Sequence, residues 1–207
     1  ASITVSIPDG VASGGGDDSV AGSLTIEFRK PVTSQGDLVG YWHFDEGMGL
    51  TAMDGSGNGN DGALTGDSTW VPGKFGNALQ FDGSGDYVNV TGFSGLNSAG
   101  AFTVSAWVNL TSTGTAVWDD GAILSFPGND ANNILFWYDA SATGVVKSYS
   151  FNAGTPFMSN NTLSGPANLA VAGSWQHVVG VFYGTTRKLY LNGTLKATQN
   201  ASSATAI

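Results

Sequence analysis

Cysteine is absent from this chain, and only 11% of its 207 residues are charged. Without cysteine there is no disulfide scaffold and no thiolate for zinc, although the redox compartment stays open. Basic residues are scarce as well: 7 Lys and Arg against 16 Asp and Glu leave a net charge of -9. That balance argues against a nucleic-acid partner, whose phosphates need a basic footprint, and against docking on anionic lipid. No apolar run approaches the ~20 residues that span a bilayer, so no membrane insertion is expected. Helical spacing is missing over any stretch of ten residues or more.

What is plentiful is Gly, with 31 residues, alongside Ser, Thr and Asn. A surface of that composition accompanies secreted prokaryotic β proteins more often than cytosolic enzymes. The chain begins at Ala1 and carries no signal peptide, which fits a processed, secreted or cell-surface protein.

Apolar residues recur with a period of two. In FTVSAWVNL at 102–110, Phe102, Val104, Ala106, Val108 and Leu110 share one face, and Leu24, Ile26 and Phe28 do so at 24–28. Ile3, Val5 and Ile7 alternate with Ser and Thr at the N-terminus. Such alternation predicts half-buried antiparallel strands. Further strands are expected at 38–45, 78–82, 86–90, 122–126, 133–139, 145–151, 176–183, 187–191 and 194–199, with Asn192-Gly193 as a two-residue hairpin turn. Residues 8–22 are too polar and Gly-rich to pack and read as a flexible tether; 154–173, with Pro156 and Pro166, read as a long surface loop. The expected fold is an all-β sandwich. Trp42, Trp107 and Trp175 lie inside strand patterns and are expected in its core.

Residues 38–90 carry a distinctive string: LVGYWHFDEG, DGSGNGNDGAL at 54–64, WVPGKFGNALQFDG at 70–83 and DYVNV at 86–90. FTVSAWVNL and SWQHVVGVFYGTTRKLYLNG follow in order. Together these resemble the laminin-G-like branch of the concanavalin A-like lectin/glucanase superfamily over about residues 38–197. The resemblance implies a two-sheet antiparallel jelly roll, often with a structural calcium and sometimes a sugar site.

The resemblance also implies two more strands after the Asn-Gly hairpin, a short apolar one and one with an acid–apolar–Arg pattern. Residues up to Ile207 contain neither, whereas 1–7 and 23–30 supply two strand patterns early, the second reading Ile26-Glu27-Phe28-Arg29. The expected organisation is therefore an N-terminal β extension over 1–37 and a laminin-G-like sandwich over 38–207, with the extension replacing the missing strands. Ile3, Val5 and Ile7 would enter either their own sandwich or a neighbouring subunit, and the long tether favours the neighbour. Strand exchange of that kind builds a homopolymer, since a head-to-tail contact does not close on itself.

Catalytic chemistry is poorly provided for. The only Glu residues are Glu27 and Glu46, and the neighbouring acids Asp119 and Asp120 would point to opposite faces of a strand. Neither a G-x-S-x-G nor a phosphate loop occurs, and His43 and His177 sit in strand patterns where packed histidines are common. No enzyme activity is expected. A calcium ion is the ligand with support: Asp54, Asn58 and Asp61 belong to an oxygen-rich loop, and hard cations take six to eight oxygens from such loops. By the resemblance, Asp45 and Glu27 would complete the set. Trp70, Trp118, Trp137 and Tyr138 lie near loops or on uncertain strand faces, so a sugar-stacking platform would be drawn from these four. Asn-x-Ser/Thr sequons stand at Asn89, Asn109, Asn160, Asn192 and Asn200. The expected function is a non-enzymatic extracellular subunit that self-assembles by strand donation, the alternative being a glycan-binding lectin-like module.

Overall fold

The computed structural model describes residues 3–6, 38–82, 84–94, 96, 100–111, 121–126, 133–140, 147–154 and 162–200. Within these, side chains are described except at 3–6, 121, 126, 133–140, 147 and 151–154. Among the described residues every regular element is a strand. In chain order they are β1 Ile3–Ser6, β2 Thr51–Ala52, β3 Gly62–Thr65, β4 Thr69–Pro72, β5 Asn77–Gln80, β6 Tyr87–Asn89, β7 Ala101–Leu110, β8 Gly121–Phe126, β9 Asn133–Ala140, β10 Lys147–Gly154, β11 Thr162–Ser164, β12 Trp175–Tyr183, β13 Thr186–Leu191 and β14 Thr194–Asn200.

They form a seven-stranded sheet ordered β14-β13-β12-β7-β1-β5-β4, a four-stranded sheet β11-β10-β9-β8 and a three-stranded sheet β2-β3-β6. Every ladder is antiparallel. The core lies where the inward rows of these sheets meet. Phe102, Val104, Ala106, Val108 and Leu110 of β7 are all buried, as the alternation requires, and so are Val178 and Phe182 of β12 and Leu189 and Leu191 of β13. Leu64, Val88 and Val90 bring the three-stranded sheet onto the same cluster. The β13–β14 turn is the expected one, with both Asn192 and Gly193 at positive φ.

The structure corrects several expectations. Residues 38–45 alternate buried Trp42 and Phe44 with half-buried Tyr41 and His43, yet they form no strand, only isolated bridge positions at Leu38 and at Trp42, the latter opposite Asp54. Side chains of the following loop serve their backbone instead: Asn58 donates to the Leu38 carbonyl, Asn60 to the Val39 carbonyl, and Asp54 accepts from the Tyr41 N–H. The segment 154–173, read as an open loop, contains β11 with buried Leu163, and Ala170 is buried too. Buried Gln176 holds this stretch by accepting from Val171 N–H and Tyr149 Oη and donating to the Leu169 carbonyl. Strands β2, β3 and β4 were not anticipated because two to four residues are too few to show a period. Residues 7 and 8–37, including the expected strand 23–30, lie outside the described residues.

The largest correction concerns β1. It pairs with β7 along one edge, Ile3 opposite Leu110 and Val5 opposite Val108, and with β5 along the other, Val5 opposite Leu79. The strand thus sits inside its own chain's sheet, where the sequence reading favoured a neighbour's. Both flanking edges, on β5 and on β7, belong to the same chain as β1.

Phe102 and Phe182 face each other across β7 and β12 with ring centroids 5.4 Å apart, both buried. Phe182→Ala is expected to cost about 3–5 kcal/mol in denaturant unfolding, because the emptied space cannot close. Tyr183→Ala, at a side chain 67% exposed, should change little.

Candidate functional site

Asp54 organises the loop between β2 and β3. Its carboxylate accepts four hydrogen bonds: Oδ1 from Tyr41 N–H and Ser56 N–H, Oδ2 from Ser56 Oγ and Asn60 N–H. Partial burial pulls this carboxyl's pKa upward, but the Ser56, Asn60 and Tyr41 donors outweigh burial and hold it below its ordinary value of 3.8. Asp61 is engaged as well, accepting from Asp54 N–H, and Asn58 donates to Leu38 and to Ser56 Oγ. Asp45 lies apart from this loop. It accepts from Asn77 N–H through Oδ1 and from the Asn77 side chain through its own carbonyl, so it clamps the β4–β5 hairpin. Gly76, at φ 53°, packs against that carboxylate, which leaves no room for a Cβ. Asp54 and Asp61 thus meet within this loop while Asp45 stands at the β4–β5 hairpin, and Glu27 lies outside the described residues.

Another group comes closer to what a cation needs. Carboxylate oxygens of Asp67, Asp82 and Asp86 lie within 4.8 Å of one another, the one such acidic trio among the described residues. Asp86 accepts from Asp82 N–H and Asp67 N–H, and these bonds outweigh desolvation and hold its carboxyl below the ordinary range. Three hard oxygens at this spacing could hold a metal ion.

The aromatic chemistry gathers on the outward face of the large sheet. On β7 the buried row has even numbers, so Thr103, Ser105, Trp107 and Asn109 form the other row. Register places His177 beside Trp107, Trp175 beside Asn109, Val179 beside Ser105 and Val181 beside Thr103. Trp107 and His177 stack, with centroids 5.2 Å apart and planes 30° from parallel. Phe75, from the β4–β5 hairpin, meets Trp107 edge-on at 5.8 Å. Lys74 Nζ lies over both rings, 5.5 Å from Trp107 and 5.7 Å from Phe75. Ser105 Oγ and His177 Nε2 share a 2.7 Å hydrogen bond that orients the imidazole, while the backbone N–H of His177 donates to Asn192 Oδ1. Asn109 Oδ1 is buried here with no hydrogen-bond partner among the described residues.

Trp42 is buried in the core as expected, Trp107 is half-buried and packs against the core cluster from a position out of phase with the apolar row of β7, and Trp175 is half-buried. The parity of 102–110 was the available signal: Trp107 is out of phase with the apolar row. Of the four expected platform residues, Trp70 is held edgewise, its indole N–H donating to the Gly49 carbonyl and its ring packing against the core. Trp137 and Tyr138 are described by backbone alone, on β9, and Trp118 lies outside the described residues. Among the sequons, Asn89, Asn192 and Asn200 are exposed, Asn109 is half-buried on the central strand, and Asn160 lies outside the described residues.

Comparison with known proteins agrees with this architecture. The Laminin_G_3 family model, of the concanavalin A-like lectin/glucanases superfamily, matches residues 82–207, and the chain belongs to that family. Domain 4 of AbnA, a GH43 extracellular arabinanase from Geobacillus stearothermophilus solved with arabinotriose, is 20% identical over 87% of this chain and 82% of that one, with a TM-score of 0.58. An S-layer domain-containing protein from Clostridium thermocellum is 22% identical over 79% of this chain and 73% of that one, with a TM-score of 0.44. At 20% identity the likeness to the arabinanase domain is one of fold. No curated protein matches the chain.

Asp54 offers a direct check of the loop. Asp54→Ala is expected to cost about 1–3 kcal/mol, a range already reduced for the group's partial exposure. Since its folded pKa lies below 3.8, the stability it supplies is present above that value and lost as pH falls through the folded one. Chemical denaturation of wild type and variant should therefore converge at acid pH and diverge near neutrality.

Proposed function

We propose that this chain is a non-catalytic carbohydrate-binding β-sandwich of a secreted or surface protein. The observation that carries the reading is the Lys74–Phe75–Trp107–His177 assembly on the outward face of the large sheet. A sugar offers apolar C–H faces and a rim of hydroxyls; it is recognised by aromatic rings beside fixed polar groups. Here the rings are Trp107 and Trp175, and the polar group beside them is His177, oriented by the buried Ser105.

Catalysis by the acidic trio fits poorly. A glycosidase needs one carboxyl with a raised pKa to act as acid, whereas Asp86 is held below the ordinary range by backbone donors. Structural calcium, in this reading, belongs at Asp67, Asp82 and Asp86 rather than at the Asp54 loop. Self-assembly by strand donation takes second place, because β1 is already paired on both edges within its own chain.

A glycan array with the purified protein tests the reading. Wild type should bind at least one glycan class, Trp107→Ala should abolish binding while retaining a cooperative melt, and Trp70→Ala should bind as wild type does. An array with no positive spot, or undiminished binding by Trp107→Ala, would remove the proposal.

A further inference from the structure

The outward face of the large sheet does not end at Trp107. Along β12 the buried residues have even numbers, so Trp175, His177, Val179, Val181 and Tyr183 form its outer row. On β13 the outer row is Thr186, Lys188 and Tyr190, with Tyr190 opposite Val179 and Thr186 opposite Tyr183. Three aromatic side chains therefore stand in line. Trp175 is at one end, Tyr190 midway on the adjacent strand, and Tyr183, 67% exposed, at the other end. Trp175 and Tyr183 are eight residues apart on one strand, about 27 Å, and Tyr190 lies level with the middle of that span. Both ends set a ring beside a fixed polar pair. Next to Trp175 in the row is His177, bonded to Ser105. Next to Tyr183 is Thr186, whose Oγ1 donates to Asn200 Oδ1 on β14.

Resting on the reading of this face as a glycan site, we infer that Tyr183, Thr186 and Asn200 form a second sugar subsite, and that the ligand is a linear β-1,4-linked polysaccharide lying along β12. A sugar stacked at one end cannot reach the other, whereas an extended chain of several sugars meets all three aromatics. An open sheet face suits a ribbon of equatorially linked rings. Its apolar faces turn down onto the aromatic side chains, and its hydroxyls project sideways to the polar pairs at the two ends. Once one end of such a chain is bound, the other end is held at high effective concentration over the second subsite. The second contact therefore adds affinity that a short oligosaccharide cannot gain.

Titration calorimetry with xylotriose, xylohexaose, cellotriose and cellohexaose tests the span. Wild type should bind at least one hexaose about tenfold more tightly than its triose. Tyr183→Ala should bring that hexaose down to the wild-type affinity for the triose, with an unchanged melting temperature because the side chain is exposed. A hexaose bound no more tightly than its triose, or a full gain retained by Tyr183→Ala, would overturn the inference while leaving the carbohydrate-binding reading intact. So would binding confined to other glycans on an array, with none of these four oligosaccharides bound. Failure to bind any glycan would remove both.

Discussion

Strand β7 must be paired along both of its edges for the large sheet to exist. On one side β12 matches it residue for residue from Ala101 to Asn109. On the other side only the four residues of β1 stand between β7 and the β5–β4 hairpin. Remove β1 and the sheet divides, leaving two rows of unpaired backbone groups beside buried Val108 and Leu110 of β7 and Leu79 of β5. The consequence reaches the outward face, because the hairpin that β1 ties into the sheet is the one carrying Lys74 and Phe75 over Trp107. Fold completion and site assembly are therefore the same event.

That hairpin is held from a second direction by Asp45, whose carboxylate and carbonyl both engage Asn77. The loops that look like metal ligands in the sequence are in this way spent on positioning backbone. Asp54 gathers four donors, Asp45 fixes a turn, and Asn58 and Asn60 donate to the carbonyls of Leu38 and Val39. A Gly-rich chain without disulfides needs such local ties, since its loops carry a large conformational entropy.

How much of this was legible in the sequence follows from what period-two patterns contain. β7, β12, β13 and the Asn192-Gly193 turn were readable because length and alternation agree there. The strand at 3–6 was readable as a strand, but its partner was not, since pairing depends on which free edge lies within reach. Trp107 packs against the core cluster but is only half-buried, and its odd position in 102–110 already set it out of phase with Phe102 and Val108. Lys74 and Phe75 gave no signal at all. They lie more than thirty residues from Trp107 in sequence and meet it only through the sheet order β7-β1-β5.

The central claim is that residues 3–6 complete the sheet of their own chain. Thr4 and Asn109 are register partners, and the chain has no cysteine of its own, so the double variant Thr4→Cys, Asn109→Cys reports on that pairing alone. After mild oxidation at low protein concentration, non-reducing electrophoresis should show a single crosslinked monomer that migrates faster than its reduced form. Disulfide-linked dimers and a ladder of higher species, with little crosslinked monomer, would contradict it and place the strand in a neighbouring molecule.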